Sequence, residues 1–203
     1  MGMLYNAFRE GTPLLVTAGQ QDRRLSFDEP ILGGEMVEVT RPWTKWAVEV
    51  NRVEDLPSAV RRAVQVALTP PTGPVFLSLP VDVQMQSTDG LELDMSPIRI
   101  PDSRVRPSVA ALEQAIEVLR TAENAAILGG SRVTERGANA ALVEFAETLG
   151  APVLTESGTT HGRLAFPSDH PLYGQGLPPW APEIHDRLSE FDVIFVTGMD
   201  LFR

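Results

Sequence analysis

An α/β chain built from two parallel-sheet units is predicted by three features of this sequence. Runs suited to covered strands (LLVTAG, VFLSLP, NAAILGG, APVLTES and FDVIFVTG) alternate with helices of clear apolar period. A proline- and glycine-rich break, TPPTGP, separates one such helix from the next strand, as a strand–helix–strand crossover requires. One polar, proline-bearing stretch, residues 84–107, divides the chain into two such runs.

The first run opens with a strand over residues 13–18, where Leu14, Leu15, Val16 and Thr17 suit a pleated sheet covered on both faces. The chain then turns abruptly polar, with Gly19, Gln20, Gln21, Asp22, Arg23 and Arg24 in succession. Open parallel sheets bind ligands outside the carboxyl ends of their strands, so this loop is a candidate site. The plainer reading is a solvated turn. Beyond RPWTKW a helix is expected, with Asp55 as its cap and Pro57 in its first turn. Val60, Ala63, Val64, Ala67 and Leu68 define its buried face, and Arg61 and Arg62 fall on its wet face. Trp43 and Trp46 read as packing residues. VFLSLP is the next strand.

Residues 84–107, QMQSTDGLELDMSPIRIPDSRVRP, keep no period and read as a linker. In the second run Ser108 caps a helix expected to carry Val109, Leu112, Ile116 and Leu119 inward. NAAILGG is a buried strand. A helix is expected from Thr134 to Gly150, with Leu142, Phe145, Ala146 and Leu149 on one face and Gly150 as its stop. APVLTES, a helix near residues 181–189, and the strand FDVIFVTG follow. This order is half of a doubly wound, Rossmann-like sheet.

Composition excludes several roles. A net charge of −10 argues against nucleic-acid and anionic-membrane partners. No apolar run reaches the length of a membrane span, and the amino terminus lacks a secretory pattern. With no cysteine there is no disulfide or thiolate chemistry, and a cytoplasmic home is expected. His161, His170 and His185 are not spaced as metal ligands and read as surface or turn residues, so no metal site is expected. Gly129-Gly130-Ser131 has the look of a phosphate-cradling turn but lacks the G-x-G-x-x-G spacing; a tight strand-to-helix turn is the favoured reading.

LLVTAGQQ, RPWTKW, TPPTGPVFLSLPVDV, AAILGGS, LGAPV, FPSDHPLYGQG and FDVIFVTG stand in the order seen in one family. The chain resembles the thiamine diphosphate-dependent 2-oxo acid decarboxylases and acetolactate synthases over nearly its whole length. TAGQQ and the RPWTKW spacing look most like the benzoylformate decarboxylases. The resemblance implies that residues 1–83 are the C-terminal half of a pyrimidine-binding domain, 84–107 the linker and 108–203 an incomplete central domain. The first Rossmann-like unit would then lack its N-terminal part and the second its C-terminal part.

By that register the family's activating glutamate falls before Met1 and its catalytic histidines fall outside the chain. The Gly-Asp-Gly motif for diphosphate and metal does not occur. No catalytic residue and no metal ligand is therefore expected in this chain. The resemblance places Gly19, Gln20 and Gln21 near the cofactor. It aligns Ile31 and Leu32 with positions that line the substrate pocket, where an apolar pair suits an aryl or bulky 2-oxo acid; ordinary packing is the alternative. Thiamine diphosphate and Mg2+ are implied for the complete enzyme, with neither held tightly by this chain, and FAD is not expected. The implied function is non-oxidative decarboxylation of a 2-oxo acid in a homo-oligomeric parent, with the fragment itself inactive. An acetolactate synthase-like carboligase, or a non-catalytic nucleotide-binding or regulatory subunit, are the alternatives.

Overall fold

The computed structural model describes residues 2–102, 104–156 and 163–199. The chain divides into two compact units, Met1–Val105 and Arg106–Arg203.

In the first unit, α1 (Gly2–Arg9) precedes β1 (Leu15–Gln20), α2 (Met36–Thr40), β2 (Trp46–Glu49), α3 (Leu56–Leu68), β3 (Val75–Pro80) and α4 (Val81–Gln84). The three strands form a parallel sheet in the order β1-β3-β2. The central strand is the most apolar, and Val75, Phe76, Leu77 and Ser78 are all buried. Ala63 and Ala67 pack on Val75 and Leu77, flanked by Leu15, Trp46 and Val48. Small residues at that contact let α3 lie close on the sheet, while Val60 and Leu68 sit at its margins, more than a third exposed. Strand β1 starts two residues later than the pattern suggests and carries Gln20 as its last residue.

Asp55 does not cap α3. A 3-10 turn, Val53–Asp55, runs directly into the helix, so Asp55 has helical dihedrals and its side chain makes no capping bond. The arginines of α3 are not simply wet either. Arg61 donates to the carbonyls of Asp94 and Ser96, both at 2.8 Å, and Gln65 donates to the Arg99 carbonyl at 3.2 Å. Residues 94–99 thus run back along α3. The Arg62 guanidinium lies 4.8 Å from the centroid of the Trp46 ring, a cation–π contact. Trp43 packs edge-on against Tyr5, with centroids 5.0 Å apart, so both tryptophans serve packing. Lys45 reaches the C-terminal end of α3, donating to the carbonyls of Val66 and Thr69. That is where a cation complements orphan carbonyls and the helix dipole.

The second unit contains α5 (Val109–Arg120), β4 (Ala125–Gly129), α6 (Arg132–Glu135), α7 (Asn139–Leu149), β5 (Val153–Thr155), β6 (Tyr173–Gly176), α8 (Ala181–Leu188) and β7 (Val193–Thr197). Its four parallel strands run β6-β5-β4-β7, so β4, the first in sequence, lies between β5 and β7. That is the doubly wound arrangement, with the strand order reversing beside β4. Ile127, Val153, Ala146, Leu142 and Phe166 form the core on one face. Leu128, Leu154 and Leu177 form it on the other. The two sheets make the chain α/β with two Rossmann-like parallel units.

Three details differ from the sequence pattern. The expected helix from Thr134 to Gly150 is two helices, broken at Gly137, whose φ of 65° a helix cannot contain. Gly150 does stop α7 at a φ of 64°. Strand β6 is invisible in the pattern because two of its four residues are glycine. Gly174 is required there, since a Cβ would lie 2.7 Å from a Leu154 methyl. Ser108 caps α5 by accepting from the Ala111 amide at 3.2 Å, but Val109, Leu112 and Ile116 do not face a core. Val109 is 71% exposed, Leu112 and Ile116 are about half exposed, and no residue of α5 is buried.

Candidate functional site

At the carboxyl ends of β1, β3 and β2 stand the polar side chains of Gln20, Gln21, Asp22, Arg23, Asn51 and Asp82. Parallel register puts Gly19 beside Leu79 and Gln20 beside Pro80, so the two strands end level. Beyond them the chain leaves the sheet at Gln21 after β1, at Val50 and Asn51 after β2, and at Val81, the first residue of α4, after β3. A Cβ on Gly19 would meet nothing nearer than the Gln84 amide nitrogen at 4.0 Å, so the step above this strand is open.

Arg23 joins all three strand ends. Its backbone N–H donates to Asp82 Oδ1 at 3.2 Å. Its Nε and Nη2 both donate to Asp82 Oδ2, at 2.9 and 2.7 Å, and Nη1 donates to Asn51 Oδ1 at 2.9 Å. The guanidinium holds the Asp82 carboxyl below its usual range. Asp22 opens the 3-10 turn Arg23–Asp28 by accepting from the Arg24 amide at 3.0 Å. Its carboxyl is lowered to about 2, first by the Arg24 side chain and then by that amide. Inside the sheet, buried Ser78 donates to Glu49 Oε2 at 2.9 Å.

The two glutamines are engaged with a neighbouring loop. Gln20 Nε2 donates to the Gly34 carbonyl at 2.6 Å, while Gln20 Oε1 accepts from the Gln21 amide at 2.9 Å. Gln21 Nε2 donates to the Ile31 carbonyl at 2.9 Å. Between those two anchored carbonyls the Gly33 amide donates to Pro30 O at 2.9 Å, closing a turn. Leu32 occupies that turn at a φ of 66°. Ile31 and Leu32 are 86% and 83% exposed, and Phe27 nearby is 95% exposed. All five candidate residues therefore lie at or beside one strand end. The sequence marks Arg23 only as part of the polar loop and does not single out Asn51 or Asp82; strand β2 (Trp46–Glu49), whose end places Asn51, is not predicted either.

The glycine turn of the second unit is shaped by its own chain. A Cβ on Gly130 would lie 2.4 Å from Gly198 O and 2.6 Å from Glu156 Oε1. The Ser131 amide donates to Glu156 Oε2 at 3.4 Å. A carboxylate thus stands where a phosphate would have to accept, and the geometry fits a close strand-to-helix turn rather than a dinucleotide cradle. His170 is a local fold residue: its Nδ1 accepts from the Leu172 amide at 3.1 Å and its ring meets Phe166 edge-on. His185 lies exposed in the last turn of α8, and His161 lies outside the described residues. Among the described residues no group of three or more His, Asp or Glu could hold a metal ion. No described helix is long and apolar enough to cross a membrane.

Residues 112–203 match the family described as thiamine pyrophosphate enzyme, central domain. The chain is 31% identical over 204 residues to benzoylformate decarboxylase of Pseudomonas aeruginosa, covering 100% of this chain and 38% of that protein. It is 30% identical over 209 residues to acetolactate synthase 2, chloroplastic, of Zea mays, covering 96% and 32%. The crystal structure of benzoylformate decarboxylase from Polynucleobacter necessarius superposes with a TM-score of 0.85 at 34% identity, over 100% of this chain and 37% of that one. The chain thus spans less than two-fifths of the length of each of these relatives.

Proposed function

The chain belongs to the thiamine diphosphate-dependent enzymes, with residues 112–203 in their central domain, and we propose that it serves non-oxidative decarboxylation of an aryl 2-oxo acid. The observation that carries this reading is the juxtaposition at one strand end: an open, amide-flanked step at Gly19 beside an outward-facing apolar pair, Ile31 and Leu32. Alignment with a benzoylformate decarboxylase along the whole chain supports it.

The residues present fit one end of the cofactor and not the other. A flat, polar pyrimidine ring suits the step formed by Gly19, Gln20 and Gln21, because amides both donate and accept. The described residues do not fit a metal–diphosphate group, since no cluster of carboxylates or histidines is available. When bound, thiamine diphosphate would supply the electron sink for loss of carbon dioxide. The chain's own share is to orient and to exclude water. Ile31 and Leu32 would cover the substrate's apolar side, and the Arg23–Asp82–Asn51 network would keep the three strand ends in register beneath it. Residues 1–83 would form part of a pyrimidine-binding domain, 84–107 a connection and 108–203 part of the central domain. Mg2+ would enter with the diphosphate, the site would be cytoplasmic, and the parent would be a homo-oligomer.

The test is product stoichiometry in a protein assembled around this sequence and loaded with thiamine diphosphate and magnesium. Benzoylformate is expected to give one benzaldehyde per carbon dioxide. Aldehyde well short of carbon dioxide, with a carbon–carbon coupled product, would point to carboligation instead.

A further inference from the structure

We propose that Gln20 and Gln21 are positioning residues, which clamp the Pro30–Gly33 turn so that Ile31 and Leu32 are presented outward. The turn is unfavourable by itself. Its third residue sits at a φ of 66°, a conformation that favours glycine, yet the side chain there is leucine. Burial does not hold that leucine in place, because it is 83% exposed. Glu29, just ahead of the turn, is also left-handed, at a φ of 45°. Strain of this kind persists where surrounding contacts over-determine the backbone, and it collects at functional sites.

The contacts that do so here are the two glutamine amides. Gln21 fixes the carbonyl of Ile31 and Gln20 fixes that of Gly34, so the strained residue is bracketed on both sides. The two clamps are themselves coupled, since Gln20 Oε1 accepts from the Gln21 amide. Both glutamines leave β1 level with the end of its neighbour β3, the buried central strand, which gives the clamp a fixed base. The consequence is a specificity element: an apolar edge whose position is set by side chains that need not touch the substrate. This assignment rests on the proposed decarboxylase reading for its ligand, the apolar side of a 2-oxo acid, but the clamp can be tested without it.

Hydrogen exchange on the 203-residue chain reads the clamp directly, because the Gly33 and Met36 amides are bonded within this loop. Gln21→Met, which keeps the shape but cannot donate, is expected to lower protection of both amides about tenfold. Gln21→Lys, which can still donate to the Ile31 carbonyl, is expected to restore most of it. Gln20→Glu should also loosen the loop, since a carboxylate facing the Gly34 carbonyl has no proton to give. Equal protection in the parent, Gln21→Met and Gln20→Glu would overturn the proposal, as would equal loss in Met and Lys variants, which would mark a role in bulk packing. In the assembled holoenzyme, Gln21→Met should change the aryl-to-alkyl ratio of kcat/KM, and Gln21→Lys should return it. If Ile31→Ala and Leu32→Ala left that ratio unchanged while the loop still opened in Gln21→Met, the clamp would stand and the substrate reading would fall.

Discussion

The Arg23 guanidinium meets the Asp82 carboxylate through two side-chain hydrogen bonds, from Nε at 2.9 Å and Nη2 at 2.7 Å, across 59 residues of sequence. With the bond from Arg23 to Asn51 it ties together the loops that follow all three strands of the first sheet. The geometry is that of a planar guanidinium gripping a carboxylate, which lysine cannot reproduce.

This network should be felt at low pH. The folded pKa of Asp82 is lowered, chiefly by Arg23, and that of Asp22 is lowered from 3.8 to about 2. A depressed carboxylate contributes stability that is present above its unfolded pKa and is lost as pH falls through the folded value. Thermal midpoints should therefore drop between about pH 4 and pH 2 in the parent. Asp82→Asn should lower the neutral-pH midpoint and flatten that drop. An unchanged profile in Asp82→Asn would show that the pair does not hold the strand ends together.

Lys45 should matter for stability more than its charge suggests. It is the side chain that satisfies two carbonyls at the end of α3, and burial holds its pKa below the usual lysine value. Lys45→Met keeps the aliphatic stem but leaves those carbonyls without this donor, at a cost of about 1–2 kcal/mol. Urea unfolding at neutral pH checks this; a change within error would mean that other donors, or water, serve equally well.

Leu32→Gly should not destabilise the fold. The left-handed conformation costs an L-residue about 1–2 kcal/mol, whereas glycine adds a similar entropy to the unfolded chain. With little apolar area buried, the two effects should nearly cancel. A loss above about 2 kcal/mol would show that the leucine packs on something in solution.

Much of the fold is legible in the sequence because it follows period and punctuation. The buried strand VFLSLP, the cap at Ser108 and the stop at Gly150 stand where propensity places them. Gln20 and Gln21 stood out because polar amides end an apolar run, although β1 itself is a half-buried edge strand. Asn51 and Asp82 did not, and Arg23 stood out only with its loop, because their meaning lies in partners 28 and 59 residues away. Arg62 looked wet by helical phase, and only the neighbouring strand revealed Trp46 beneath it. The apolar period of α5 identified a helix correctly but not what covers it, since periodicity reports a face and not its partner.

That uncovered face leads to a prediction about state. Val109, Leu112 and Ile116 are all exposed along α5, and β7 pairs with β4 on one side only among the described strands. Apolar surface and an open sheet edge both favour association. A net charge of −10 opposes aggregation without covering that surface. Light scattering after size exclusion should show a dimer or larger species; a compact monomer across a wide concentration range would contradict this.

In the proposed site the apolar side of a 2-oxo acid meets Ile31 and Leu32 at the carboxyl end of β1. That contact is tested most directly by the ratio of kcat/KM for benzoylformate to that for pyruvate, in the cofactor-loaded protein and its Leu32→Ala variant. The parent is expected to favour benzoylformate, and the ratio to fall about 10- to 200-fold in the variant, the effect of about 1–3 kcal/mol of pocket fit. A ratio unchanged by Leu32→Ala and equally by Ile31→Ala would contradict that contact.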